Sequence, residues 1–484
     1  RRQPCPEPGG PQFPEGFTGP GGASEGPHNQ RNEVHIMQLR GEPRSLRSEY
    51  IRYIIPSILA QWVYTLYTAV DGLFVAKGVS VTAMTAINIA SPFVTALFAL
   101  SLMFAVGTST VVSISLGEGR KEKANEIFSQ NFAFLIVLSL LISGLLFWKL
   151  EELALFLGAT KATLPYVTKY IGTIAPFAVV FIVSYSFEIL LKADGHPKKA
   201  TKIVMVGVIL NCIMDYLLVI VFPLGVFGAA IATALSQVGV TTLYLRHFLS
   251  KEAVLHFTRF HFSGGTIVRA MKNGLSSGIT ELSAGLTVYF FNHAIAAYLG
   301  DEALVSYTII NYVNALYIYS MTGIAQGSQP LISFYHGKKE KSATAKLLRY
   351  GLITAAGFAA VTVMLSVFGG GLLAKLFIPA DLTHLRNYTV HALRIFCISF
   401  VPAGFTVVLA GYFASIEHAG KAVSITIGRA IVVMLIVLVL MTRIFGGEGI
   451  WWTTPISESI CLVYAAILFI LGKRKNATIE IPED

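Results

Sequence analysis

Charge is what this chain has least of. Of its 484 residues, 37 are Lys or Arg and 27 are Asp or Glu, only 13% together, against roughly 25% in a soluble domain. A water-soluble protein of this size needs more charge to cover its surface. With 54% hydrophobic residues and a mean hydropathy of +0.64, disorder is excluded as well, except at the Pro/Gly-rich start. Cysteine is scarce. Cys5, Cys212, Cys397 and Cys461 form no disulfide framework, and no pair has metal-ligand spacing. No GxxxxGK[ST] stretch exists, so no P-loop ATPase is built in. The histidines form no HExxH and show no clustered acids, which removes support for metalloprotease chemistry. Any uphill work must draw on an ion gradient or on a separate partner.

What is present is a series of long apolar runs. We read twelve spans, at 51–76, 85–116, 128–148, 166–190, 202–222, 226–248, 271–298, 303–335, 347–370, 388–413, 422–441 and 456–471. Most match the ~20 residues a helix needs to cross ~30 Å of hydrocarbon. The last is the shortest. Backbone groups must be satisfied inside a bilayer, which favours helices, and the runs lack the alternation of a barrel. The expected fold is all-α: a polytopic membrane protein with twelve transmembrane helices in two pseudo-symmetric six-helix bundles around a central cleft. The expected division is a disordered or non-native N-terminal segment at 1–47, an N-lobe at 48–250, a cytoplasmic linker at 251–270, a C-lobe at 271–472 and a cytoplasmic tail at 473–484.

The net charge of +10 follows the loops and does not point to nucleic acid. With the N-terminus inside, the inner loops and C-terminal tail hold 22 Lys and Arg, and the opposite side holds 8. That bias predicts both termini in the cytoplasm of a multi-pass plasma (inner) membrane protein. On this map no Lys or Arg falls deep inside a span. The pair Trp451 and Trp452 falls at the outer interface and reads as an aromatic anchor.

A repeat runs through the chain. GRKEKA at 119–124 recurs as GKKEKS at 337–342, an offset of 218. At the same offset Met103 meets Met321 and Ser115 meets Ser333. A weaker echo joins ADGHPKKA (193–200) to IEHAGKA (416–422). Six spans separate the copies, so both halves enter the membrane in the same direction. An axis along the membrane normal and a cleft between the bundles follow.

Four acids lie well within the spans: Asp71, Glu188, Asp215 and Glu281. A mid-helix acid costs about 2.5–3.5 kcal/mol on insertion scales, so each must face protein or a wet cavity. No base stands at comparable depth, which leaves a proton or small cation as the natural partner. Asp71 shares nearly one helix face with Tyr67. Asn211 precedes Asp215 by four residues and lies on its face. With a hydroxyl such as Thr233, the set Asp71, Asn211, Asp215 and Thr233 offers several of the oxygens a Na⁺ ion needs. Glu281 reads either as a second protonation site or as a cap on a broken helix. Glu188 reads as an interfacial partner of Lys192, four residues on. The amides of Gln61, Asn292, Asn311, Gln326 and Gln329 need partners in the membrane, and some of them line the cleft. Pro56, Pro92, Pro176, Pro330 and Pro402 can bend their helices.

The stretches VDGLFVAK, GTSTVVSISLGEGRKEKA, ADGHPKKA, NCIMD, GVFGAAIATALSQ, ELSAGLTVYFFN and GIAQGSQPLISFYHGKKEKSA resemble a multidrug and toxic compound extrusion (MATE) transporter. The likeness runs over about residues 48–472 and is nearest the bacterial MepA-like and DinF-like branches. It implies two six-helix lobes and exchange of cationic, amphipathic or aromatic compounds for Na⁺ or H⁺. It also implies that Asp71, Asn211, Asp215 and Thr233 stand at the family's first-lobe coupling positions. Some branches carry an acid on the tenth helix, and this chain has none between Tyr388 and Phe413.

The expected function is therefore a secondary active efflux antiporter, not an enzyme. It needs no cofactor beyond H⁺ or Na⁺ as coupling ion. Its partners are small organic cations or amphipathic drugs and the lipid bilayer, with no nucleic acid, and the resemblance leans toward a monomer. A lipid-linked precursor flippase is the alternative; it would need Lys or Arg on cleft-facing mid-helix positions, and none is read there. A membrane enzyme or scaffold is a further alternative, opposed by the missing catalytic set and the buried acids.

Overall fold

The computed structural model describes residues 45–478. The expected N-terminal segment lies outside the described residues up to 44, as does the end of the tail from 479. Every regular element described is helical: α1 Leu46–Gly78, α2 Val81–Gly117, α3 Lys121–Trp148, the short α4 Leu150–Phe156, α5 Leu164–Ala193, α6 Pro197–Val221, α7 Gly225–Phe248, α8 Gly264–Tyr298, α9 Asp301–Gly337, α10 Lys341–Phe377, α11 Thr383–Ser415, α12 Ala419–Phe445 and α13 Glu448–Thr478. Among the described residues, nine of these are long and apolar enough to cross a membrane. The fold is an all-α polytopic membrane fold.

Local chemistry sets the ends. Ser45, Ser80 and Ser263 cap α1, α2 and α8, their hydroxyls accepting from Ser48, Ala83 and Thr266 N–H groups, each satisfying one orphan donor. The cap at Ser263 starts α8 seven residues before the expected linker end at 270, because Gly264 and Gly265 precede the apolar run but continue the helix. The last helix is likewise longer than the expected 456–471 and begins at Glu448. Trp451 therefore lies on the inner face of α13, fully buried, with Nε1 donating to the Tyr388 hydroxyl at 2.9 Å. Only Trp452 points outward, so the Trp pair is not the interfacial anchor the sequence implied.

The repeat is real, but its register is 220 rather than 218. Arg120 N–H returns to Ser115 O and Glu340 N–H to Tyr335 O. The left-handed residue in each turn is Gly119 (φ 75°) or Lys339 (φ 60°). The matching letters of the two basic loops are displaced by two from the matching turns; their likeness is compositional. Further on the offset is 222. The 3-10 breaks at Ala175–Phe177 and Cys397–Ser399 match, as do the left-handed Gly195 and Glu417 before His196 and His418.

Two buried cores form. One gathers α2, α3, α5 and α7 and takes in Ile267 of α8 and Phe334 of α9. The other gathers α8 to α13 and takes in Tyr50, Tyr53, Ile54 and Ile58 of α1. The first helix of each half is thus packed into the other half: α1 lies between α6 and α9, and α8 between α12 and α2. At the α2–α8 crossing the backbones touch. A Cβ on Gly107 would overlap the Ala270 carbonyl, and one on Gly274 the Met103 carbonyl. Nearer the basic loops, Gly117 sits on Phe334 O and Gly337 on Ile114 O, the same contact repeated by the pseudo-twofold. Small residues permit such close helix approach in a membrane.

Candidate functional site

Two polar centres stand inside the helical bundle. In the first, Asp71 on α1 and Asp215 on α6 bring their carboxyl groups together. Asp215 is completely buried and Asn211 nearly so. Both oxygens of Asp215 and both amide atoms of Asn211 lack a hydrogen-bond partner. Two facing carboxylates repel unless one carries a proton or a cation is coordinated between them, and buried polar atoms rarely go unpaired. The donor set is oxygen-rich and suits a proton or a hard cation. Thr233 on α7 donates to Ala229 O at 3.1 Å, and the Tyr67 side chain reaches it. Tyr170 of α5 faces both acids; sequence reasoning misses it, since a Tyr at a span edge carries no signal. Directly after Asp215, α6 passes into π-helix over Tyr216–Val221, an irregularity frequent at functional sites.

The second centre is a cavity of about 550 Å³. Its walls include Gln61 and Tyr64 of α1, Glu281 of α8, and Gln326 and Gln329 of α9. Gln61 Nε2 donates to Gln326 Oε1 at 3.1 Å, and Gln329 Nε2 to Val106 O at 2.8 Å and Thr110 Oγ1 at 2.6 Å, so these amides tie α1 and α2 to α9. Glu281 is half-buried and has no ion-pair partner among the described residues. Asn292 is exposed and off the cavity wall. Tyr67 is also off it, with the acids. Asp71, Asn211, Asp215 and Thr233 do not line this cavity either. Helix α1 joins the two centres: Gln61, Tyr64, Tyr67 and Asp71 recur every three or four residues, and the Tyr64 and Tyr67 rings lie 5.9 Å apart.

One expectation fails here. Arg429 is deep inside α12, where the sequence predicts no base, and lines the cavity. Its Nε donates to both oxygens of Glu458 on α13, at 2.7 and 2.9 Å. In the sequence Arg429 groups with the basic loop near 420, and Glu458 with a polar stretch at the start of the last span. The signal is an Arg ten residues past the start of an apolar helix, which demands an acid from a neighbour. Glu188 does pair with Lys192, at 2.8 Å.

A third cluster lies at the basic face. Asp194, His196 and His247 come within metal-binding reach of one another, although the sequence shows no clustered histidines; 51 residues separate the two. Asp194 Oδ2 accepts from His247 Nε2 at 2.8 Å and from His196 Nδ1 at 3.0 Å, and Oδ1 accepts from Val254 and Leu255 N–H. Lys199 Nζ donates to His247 Nδ1 at 2.9 Å, which leaves Nε2 as the protonated nitrogen. An ammonium on one ring nitrogen and a hydrogen bond from the other make this a tie for the linker, not a metal centre.

A family model described as MatE matches residues 56–217 and 282–440. The multidrug export protein MepA of Staphylococcus saprophyticus is 24% identical over 454 residues, covering 91% of this chain and 97% of that protein. MepA of Staphylococcus aureus is 25% identical over 446 residues, covering 90% and 95%. Among solved structures, the outward-facing conformation of a multidrug resistance MATE family transporter of the MOP superfamily superimposes with a TM-score of 0.84 at 20% identity, covering 92% of this chain and 98% of the other. A mutant of the Vibrio cholerae MATE transporter VcmN gives 0.82 at 18% identity over 89% and 97%.

Proposed function

The chain belongs to the MatE family, and from that premise we propose a secondary active antiporter that exports cationic or amphipathic organic compounds in exchange for H⁺ or Na⁺. It is a transporter and not an enzyme. One observation carries the reading: orphaned, buried Asn211 and Asp215 beside Asp71, standing apart from a substrate-sized cavity but joined to it through α1. An ion held by the acids neutralises them; its release restores two like charges in a buried site. Either change bears on α1, whose next turns form the cavity wall. Coupling then requires only that ion and substrate prefer different positions of α1.

In this reading α1 to α13, leaving out the short α4, make twelve crossings in two six-helix lobes. Both termini face the cytoplasm, in the plasma membrane. The glycine crossings close the cytoplasmic side, so the cavity belongs to an outward-facing state. One chain supplies both centres, and the monomer is the transport unit. Arg429 removes one ground for setting the flippase aside. A pyrophosphate, however, carries more charge than a single guanidinium already bound to Glu458 can meet, and export remains the better account.

The test is transport by purified protein in liposomes with a fluorescent cationic dye, under a pH gradient and a Na⁺ gradient separately. Movement on the pH gradient alone makes Asp71 and Asp215 a proton-loading pair; movement on Na⁺ alone makes them part of a cation cage. Asp71→Asn should abolish gradient-driven movement while the protein still inserts and folds. Wild-type export by that variant would overturn the coupling site.

A further inference from the structure

The pair Arg429 and Glu458 has no place in the ion chemistry at Asp71, yet it sits on the wall of the same cavity that Glu281 faces. A guanidinium carries five N–H groups and meets a carboxylate best through two nitrogens side by side. Here one nitrogen does all the binding: Nε serves both oxygens of Glu458. The two Nη atoms make no hydrogen bond among the described residues, and the side chain keeps 15% of its surface while Glu458 keeps 8%. A pair serving packing alone would close the fork on its carboxylate, because each charged N–H withdrawn from water needs a partner. Around Arg429 the helix is in π form over Gly428–Val432, which alters the direction of side chains there relative to a regular helix. Beside it on the cavity wall stand the hydroxyl residues Thr426 and Ser457. The result is a cavity with an acid at Glu281 and an open cationic fork at Arg429.

We infer that Arg429 is a specificity-determining residue whose Nη fork binds a carboxylate on the transported compound. Glu458 is its resident counter-ion. It holds the guanidinium charged and oriented through Nε and leaves the planar edge to the ligand. The cavity therefore favours amphipathic aromatic compounds that carry a carboxylate as well as a cationic group over their esters. The inference rests on the export reading for the use of the cavity, but binding tests it without transport.

The probes are a rhodamine bearing a free carboxylate and the methyl ester of the same dye. Their affinities for purified full-length protein in detergent micelles are measured by fluorescence polarisation. Wild type should bind the carboxylate dye about tenfold more tightly than the ester, the size of one charge-assisted bidentate contact. In R429Q/E458Q, which removes both charges together, the ratio should fall to about one. Should that variant not fold, two single changes serve. R429K keeps the charge without the fork and should lose most of the preference. E458Q keeps an acceptor for Nε but removes the neighbouring negative charge that repels a second carboxylate, and should tighten the carboxylate dye further. Equal affinities in wild type, or an unchanged ratio in R429Q/E458Q, overturn the inference. An intact ratio with no gradient-driven transport overturns the export reading alone. Failure of both dyes to bind wild type overturns both.

Discussion

Asn211 holds two buried polar atoms without partners, and each carries a desolvation cost that folding alone does not explain. Replacing it with an apolar residue of similar size should therefore separate stability from function. Asn211→Leu is expected to raise the thermal midpoint by an amount equivalent to about 1 kcal/mol while cutting ion-coupled transport severely; a drop in both would make the amide structural. Asp194 behaves oppositely, because all its lone pairs are used. Burial would push its carboxyl up, but hydrogen bonds from His196, His247 and the Leu255 amide hold it below the ordinary value of 3.8. The fold thus favours the charged form. Its contribution is complete above the unfolded value and is lost as pH falls through the lower folded one. Wild type should keep residues 253–258 protected from proteolysis down to below pH 3.8. Asp194→Asn should expose them at neutral pH and cost about 3 kcal/mol; equal protection in both proteins would dismiss the tie. Asp71, Asn211 and Asp215 were legible in the sequence because a polar residue in an apolar run declares itself. Arg429 with Glu458, and His196 with His247, were not. Each pair joins separate helices, and composition near either partner supplies an innocent loop or interface explanation.

Among the helices, spans and their order were legible because apolar runs of bilayer length have few other readings. Crossings were not, since glycine in a membrane helix has many uses. Gly107 and Gly274 acquire their meaning only where α2 meets α8 and each faces the other chain segment's carbonyl. Gly107→Val should force the two backbones apart and destabilise the protein by about 1–3 kcal/mol, whereas Gly144→Ala, in open space on α3, should be silent. Thermal unfolding in detergent measures both. Matching effects at the two positions would mean the crossing is loose. The repeat register teaches the same lesson: letters aligned the basic loops at 218, while hydrogen bonds closing the turns align them at 220.

For the whole molecule, the contacts at the basic face join the two halves through α2 and α9. Gln329 reaches Thr110 and the Val106 carbonyl across that seam. With the native cysteines replaced, T110C/Q329C linked by a short, reducible bifunctional thiol reagent should stop transport, and reduction should restore it. Unimpeded transport by the linked protein would mean that this seam never opens. The exchange of first helices also bears on how the protein is made. Gln61 meets its partner Gln326 after 265 more residues, and the core around Tyr50, Tyr53 and Ile54 is supplied by α8 to α13. At several residues per second of synthesis, α1 must wait in the membrane for the better part of a minute before its packing surface exists. During that interval the face that carries Gln61 is available to insertion chaperones or to the wrong helix, whereas Asp71 meets Asp215 of α6 earlier. Neither half expressed alone should mature, while the two halves produced together in one cell should assemble into a working transporter.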